Sequence, residues 1–142
     1  MKREQFSGSW RDRWHRRNWW PGPDRNRYNG LEPIVAITGG SQGIGCALAH
    51  EFVAAGHAVL LIARDPATLA LATRDLTRSH ADAVIFTHHV DLIDAGIRRD
   101  LEAHAAGLGY YVDVLVNAAG VGLAAPFITH STRNVRDLVE LN

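Results

Sequence analysis

A glycine-rich loop is the segment whose residue types and spacing could do chemistry. Residues 38–45 read Thr-Gly-Gly-Ser-Gln-Gly-Ile-Gly and lie between a β-branched run and an amphipathic run. Backbone N–H groups at the start of a helix bind anions, and glycines let the chain turn tightly against a phosphate. We therefore expect Gly39 to form the tight turn, Gly43 to bring the backbone close to a diphosphate, and Gly45 to let helix and strand pack closely.

The same loop fits a second pattern, which predicts different chemistry. Residues 39–43 match G-x-S-x-G, the strand-to-helix turn that carries the nucleophilic serine of α/β-hydrolases, and Ser41 would be that nucleophile. The hydrolase fold needs earlier strands and a glycine-rich oxyanion loop, whereas only a polar segment precedes Ile34. The phosphate-binding interpretation is therefore favoured.

Short apolar runs alternate with amphipathic stretches around the loop, which is typical of βαβ units. Strands are predicted at 34–38, 57–63, 83–88 and 112–116, and helices at 44–55, 66–80, from Asp94 to Leu108, and from Ser131 or Thr132 onward. The first helix is expected to bury Ile44, Ala47, Leu48, Phe52 and Ala55. Continuous apolar strands suit a parallel sheet covered on both faces, so we predict an α/β fold with a Rossmann-type doubly wound sheet.

The first 33 residues differ in composition from the rest of the chain. They carry eight basic and four acidic residues and all four tryptophans, with almost no aliphatic residues. We predict a basic, mostly disordered extension over 1–33 and a folded domain over 34–142. Arginines attract phosphates and tryptophans stack on bases, so an arm that binds nucleic acid or an anionic surface is the alternative. A solvated extension is favoured, and nucleic acid is not expected as a partner.

Several motifs in order resemble the short-chain dehydrogenase/reductase family. The pattern Thr38-Gly39-x-x-x-Gly43-Ile44-Gly45 is followed by Asp91 after the third strand and by residues 117–120, Asn-Ala-Ala-Gly, after the fourth. The resemblance covers residues 34–142 and implies a classical-type NAD(P)-binding domain. Together, the glycine loop, the end of the second strand and this resemblance predict the cofactor-binding positions. They are Gly39, Ser41, Gln42, Gly43, Ile44, Gly45, Arg64, Asp91, Leu92, Asn117, Ala118, Ala119 and Gly120.

The resemblance also implies individual roles for residues after the third and fourth strands. Asp91 would hold the adenine amino group, helped by the backbone of Leu92. Asn117 would brace the central strands, and Gly120 would lie against the cofactor. Ala118 stands where a second asparagine is common in the family.

The residues at the end of the second strand predict which cofactor is preferred. An NAD-selective site needs a carboxylate there, about 20 residues past the loop, for the ribose 2′-hydroxyl. Ala63 occupies that position and Arg64 follows it. A guanidinium can clamp a 2′-phosphate with charge-assisted hydrogen bonds. Gln42 stands where some NADP-dependent relatives have a second cation. Arg64 is therefore expected to carry most of a preference for NADP(H) over NAD(H). The acidic Asp65, which follows Arg64, weakens this argument.

Family chemistry moves a hydride between nicotinamide and a carbonyl or alcohol carbon, with Ser, Tyr, Lys and Asn assisting. Asn142 matches the proton-relay asparagine, but the Ser and the Tyr-x-x-x-Lys expected after it are missing, and the only lysine is Lys2. We expect a truncated gene product or an incomplete sequence, ending after the fourth strand and the following helix. As given, the chain is predicted to be inactive toward a small-molecule carbonyl or alcohol substrate and weakly folded, so a family-like homo-oligomer is not expected. A non-catalytic nucleotide-binding remnant is the alternative.

Composition limits the remaining function classes. The longest strictly apolar run is six residues, which excludes an ordinary membrane span, and no apolar leader is present in the first 20 residues. A single cysteine, Cys46, excludes an internal disulfide and favours a cytoplasmic setting. His88 and His89 are adjacent in a predicted strand and point to opposite faces, so no metal site is expected there.

Overall fold

A computed structural model describes Tyr28, residues 30–94, Gly96 and residues 100–142. Its elements are β1 (Glu32–Thr38), α1 (Gly43–Ala54), β2 (Ala58–Ala63), α2 (Pro66–Ser79), β3 (Ile85–His89), α3 (Leu101–Gly107), β4 (Tyr110–Asn117), a 3-10 turn (Phe127–Thr129) and α4 (Thr132–Leu141). The four strands are parallel and form a sheet in the order β3-β2-β1-β4. None of the helices in these ranges is long and apolar enough to span a membrane.

Apolar layers cover both faces of this sheet, which confirms the predicted doubly wound fold. On one face, Val35, Ile37, Val59 and Leu61 pack with side chains of α1 and α2. On the other face, a second cluster includes Ile34, Ala36, Leu60, Ile62 and Ala105, the last from α3. Because successive strand residues alternate between faces, the apolar runs of β1 and β2 supply both layers.

Two helices begin at side-chain caps. Asp65 accepts hydrogen bonds from the backbone N–H groups of Ala67 (3.0 Å) and Thr68 (3.3 Å), and Pro66 occupies the first helical turn of α2. The bond from the Ala67 N–H is the main reason that the pKa of Asp65 lies below its ordinary value. The Ser131 hydroxyl accepts from the Asn134 N–H (3.1 Å) at the start of α4.

The predicted inward face of α1 is wrong for Ile44, Ala47 and Leu48, whereas Phe52 packs against the core as predicted. Ile44 is 75% exposed and Leu48 is also exposed, whereas Gly45, Ala49 and Val53 are buried. Gly45 lies directly against the carbonyl oxygen of Gly39, and this contact turns the Gly45 side of the helix toward the sheet. Positions four and eight residues later then face inward as well.

Several boundaries also differ from the prediction. β1 begins at Glu32, two residues early, so Glu32 and Pro33 belong to the sheet rather than to the extension. Tyr28 stacks on Tyr111 with 4.0 Å between ring centroids. Residues 1–27 and 29, and Ile97 of the predicted third helix, lie outside the described residues, so the expected disorder of the extension stays a prediction.

Candidate functional site

A cleft of about 440 Å³ opens at the carboxyl ends of the strands. Its walls are the segments that follow β1, β2, β3 and β4. In this sheet the chain runs from β1 through β2 to β3 on one side of β1 and then crosses from β3 to β4 on the other side. The switch point, where open α/β sheets bind ligands, therefore lies between β1 and β4. The predicted positions that line the cleft are Gly39, Ser41, Gln42, Gly43, Ile44, Arg64, Asp91, Leu92, Ala118, Ala119 and Gly120.

The glycines of the loop meet three different constraints. Gly39 has φ +65°, and a Cβ there would lie 2.7 Å from the Ala118 carbonyl oxygen. Gly45 is beneath the cleft, where a Cβ would collide with the Gly39 carbonyl oxygen. Gly43 has φ +54° and open space around its missing Cβ. The loop therefore packs tightly on the protein side and stays open on the cleft side.

The first turn of α1 provides hydrogen-bond donors without a side-chain acceptor. Gln42 precedes the helix with extended backbone and makes no side-chain cap hydrogen bond, and the first turn has no acidic residue. In α2 and α4, by contrast, a side chain accepts a hydrogen bond from an N–H group of the first turn. Uncapped N–H groups beside a cleft suit an anion, so the residues present fit the diphosphate of a dinucleotide.

Thr38 ties the glycine loop to the segment after β4, a role that the sequence analysis did not assign to it. Its buried hydroxyl accepts from the N–H groups of Ala118 and Ala119, both at 3.1 Å, and donates to the Val116 carbonyl oxygen at 3.3 Å. One donor and two acceptors are the whole capacity of a hydroxyl. The signal that could have indicated this role is a hydroxyl residue at the carboxyl end of an apolar strand.

Arg64 lies at the end of β2, exposed and on the wall of the cleft. Its backbone carbonyl oxygen is 3.0 Å from Nε2 of His89, which fixes the turn that follows the strand. Asp65 also borders the cleft, but its two carboxylate oxygens accept hydrogen bonds from the first turn of α2. The guanidinium is therefore the cation offered to a ligand at this end of the cleft.

Asp91 and Leu92 form the wall that follows β3. One carboxylate oxygen of Asp91 accepts from the Ile93 N–H at 3.1 Å, and its carbonyl oxygen accepts from the Asp94 N–H at 3.2 Å. This is a local turn of the kind that aspartate commonly stabilises. The adenine-binding role of Asp91 stays a prediction.

Asn142 and Asn117 lie outside the main cleft, on a neighbouring cavity of about 390 Å³. The Asn142 side chain accepts from the Val121 N–H at 3.1 Å and donates to the Val121 carbonyl oxygen at 3.0 Å. A Cβ on Gly120 would lie 2.8 Å from the Asn142 Oδ1 atom. Asn142 thus holds the loop after β4, while its relay role and the bracing role of Asn117 stay predictions.

These features define a Rossmann-type α/β domain with a phosphate-binding loop geometry at its switch point. The family model described as short chain dehydrogenase matches residues 33–142. The chain belongs to the short-chain dehydrogenase family.

Known relatives place the match in one part of longer proteins. The chain is 29% identical over 109 residues to a 2,3-dihydroxy-2,3-dihydro-p-cumate dehydrogenase of Pseudomonas putida, which covers 77% of this chain and 42% of that relative. A metagenomic short-chain oxidoreductase in complex with NADP aligns with a TM-score of 0.70 and 29% identity, over 79% of this chain and 51% of that one. A short-chain dehydrogenase from Sphingobium yanoikuyae in complex with NADPH gives 0.67 and 27%, over 77% and 42%. The chain therefore spans about half the length, or less, of these proteins.

Proposed function

We propose that this chain binds NADP(H) in preference to NAD(H). We propose further that it forms the dinucleotide-binding part of an oxidoreductase that moves a hydride between nicotinamide and a carbonyl or alcohol carbon of a small molecule. The family match and two similar structures that contain NADP or NADPH support a nicotinamide dinucleotide. The preference between the two dinucleotides rests on this chain's own residues.

Arg64 is the observation that carries the cofactor preference. It follows Ala63 at the end of β2, where a carboxylate would accept the 2′-hydroxyl of NAD. The Asp65 carboxylate accepts two backbone N–H groups of α2, which leaves it few lone pairs for a ribose hydroxyl. A cation without a competing carboxylate favours a ribose that carries a phosphate.

The remaining residues bind and orient. The uncapped N–H groups at the start of α1 donate to the diphosphate, and the wall at Asp91 and Leu92 faces the adenine end of the dinucleotide. The bound dinucleotide would supply the hydride donor or acceptor. The chain holds Asn142 but no Tyr-x-x-x-Lys within its 142 residues, so the acid/base step is proposed only for a protein that carries those groups.

Calorimetric titration of NADPH and NADH into the protein and into Arg64→Ala tests the preference. We expect the substitution to weaken NADPH binding by about 10- to 100-fold, since hydrogen bonds to charged groups contribute that much. NADH affinity should change by less than about twofold, because an exposed arginine without a partner contributes little. Arg78→Ala removes an exposed arginine from the last turn of α2, away from the cleft, and should leave both affinities unchanged.

Two results would contradict the proposal. Equal affinity of the unaltered protein for NADH and NADPH would remove the preference. An equal loss for both dinucleotides in Arg64→Ala would show that the arginine contacts a part that they share.

A further inference from the structure

Two hydroxyl groups meet across one wall of the cleft. Thr68 lies in the first turn of α2, and Ser41 lies in the glycine loop; the Thr68 Oγ1 and Ser41 Oγ atoms are 3.2 Å apart. Both side chains are half-buried and both line the cleft, together with Arg64. The pair joins the loop to α2, which begins just after Arg64.

The hydroxyl of Thr68 has one proton, and Ser41 and Asp65 compete for it. Its Oγ1 atom is 3.0 Å from the Asp65 carbonyl oxygen, and a hydrogen bond from the Thr68 side chain also helps to lower the pKa of the Asp65 carboxyl group. If the proton goes to an oxygen of Asp65, Ser41 can donate to Thr68 and its own proton is used within the protein. If the proton goes to Ser41, the Ser41 proton becomes available to a group in the cleft.

An anion in the cleft selects the second arrangement. A phosphate oxygen only accepts hydrogen bonds, so it draws the Ser41 proton outward and leaves Ser41 to accept from Thr68. Consecutive hydrogen bonds polarise each other, which strengthens the bond to the phosphate. A ribose hydroxyl can donate as well as accept, so it imposes no such choice.

We propose that Thr68 is a positioning residue for the 2′-phosphate of the dinucleotide: it donates to Ser41, whose proton then turns to the phosphate. This inference rests on the proposed function, which already has that phosphate beside Arg64. It adds a specificity determinant outside the glycine motif and four residues after the arginine. Thr68 acts through Ser41, and Ser41 makes the contact.

Thr68→Val tests the inference, because valine keeps the shape and removes the hydroxyl. Titrations should show NADPH binding weakened by about 3- to 10-fold, the loss expected for one hydrogen bond, with NADH affinity little changed. Thr68→Ser, which keeps the hydroxyl, should restore the NADPH affinity. Thr77→Val is the matched control: Thr77 is on the same helix and its hydroxyl donates to the Thr73 carbonyl oxygen at 2.8 Å, and both affinities should stay unchanged.

Ser41→Ala and the double variant Ser41→Ala/Thr68→Val complete the experiment. The double variant should lose no more NADPH affinity than Ser41→Ala alone, since Thr68 acts only through that hydroxyl. Thermal unfolding of each variant separates lost binding from lost folding, and Thr68→Ala, which also removes the hydroxyl, replaces Thr68→Val if that variant unfolds.

Distinct results separate the two proposals. If Arg64→Ala abolishes the NADPH preference while Thr68→Val has unaltered affinities, or loses NADH equally, only the role of Thr68 is wrong. The same conclusion follows if Thr77→Val loses as much NADPH affinity as Thr68→Val. It also follows if the double variant loses the sum of the losses caused by Ser41→Ala and Thr68→Val. If the unaltered protein shows no NADPH preference, the proposed function fails and this inference fails with it.

Discussion

Gly45 is the residue where α1 touches the loop that leads into it. A Cβ there would collide with the Gly39 carbonyl oxygen and lie 2.8 Å from the Gly39 carbonyl carbon. Both are backbone atoms, which cannot move aside as the end of a side chain can. We expect Gly45→Ala to lower the free energy of unfolding by about 1–3 kcal/mol, the usual cost of overpacking, as measured by urea denaturation.

Gly107→Ala is the control for this prediction. Gly107 is an exposed glycine in α3, and a Cβ there would meet no atom within 4 Å. The same substitution should therefore not lower the free energy of unfolding, because alanine favours a helix more than glycine does and meets no neighbouring atom there. If both variants changed stability in the same direction, the close contact at Gly45 would not be the cause.

Thr38 and Asn117 show what the sequence could and could not predict about single residues. The glycine positions follow from a motif whose spacing is tied to one loop geometry. The hydrogen bonds between the ends of β1 and β4 form because the Thr38 hydroxyl is buried there. Residue spacing does not predict that burial. The bracing role that the resemblance implies for Asn117 stays a prediction, and the structure adds hydrogen bonds from Ala118 and Ala119 to Thr38.

At the scale of elements, hydrophobic runs predicted all four strands, because a buried parallel strand is apolar on both faces. The orientation of α1 was not predictable in the same way. Its residues are apolar on several sides, so periodicity selected Ile44, while the contact of Gly45 with Gly39 decides the orientation. A tertiary contact thus overrides the periodic pattern.

The junction of β3 and α3 predicts a pH dependence of stability. His88 stacks on His104 with 3.8 Å between ring centroids. Burial lowers the pKa of His88 below its usual value of 6.5, and the neighbouring His104 and His89 lower it further. The folded chain then binds a proton less readily than the unfolded chain, so protonation favours unfolding.

Thermal unfolding between about pH 7.5 and about pH 5.5 measures this effect. This contribution to stability should be complete above pH 6.5, decrease as the pH falls from 6.5 toward the lower pKa of the folded state, and then level off. His88→Phe keeps an aromatic ring on His104 and removes the titrating group, so its Tm should fall less over this range. His130→Gln removes a half-buried histidine outside this junction and is the control; its Tm should change with pH as that of the unaltered protein does. An unchanged pH dependence in His88→Phe would exclude His88 as the source.

At the scale of the whole molecule, apolar side chains remain exposed on β4 and on the segments after it. Leu115 is 50% exposed on β4, which ends the sheet, and Ile128 and Val139 are 91% and 72% exposed. The cleft, in contrast, is lined by segments after all four strands that the structure describes. Binding and chemistry are therefore expected to separate in this chain: the cleft has the walls of the proposed dinucleotide site, but the 142 residues contain no Tyr-x-x-x-Lys.

The last prediction concerns that separation. NADPH should raise the Tm of the 142-residue chain, since a ligand at about 100 times its Kd adds about 2.7 kcal/mol to the stability of the folded state. The same preparation should show no carbonyl-dependent oxidation of NADPH at 340 nm, because hydride transfer to a carbonyl needs a proton donor placed on the carbonyl oxygen. Arg64→Ala serves both measurements at an NADPH concentration near the Kd of the unaltered protein: it should reduce the Tm shift, and it would lower any oxidation that takes place at this site. Oxidation by the unaltered chain that Arg64→Ala lowers would mean that another residue donates the proton, whereas oxidation at an unchanged rate would indicate a contaminant.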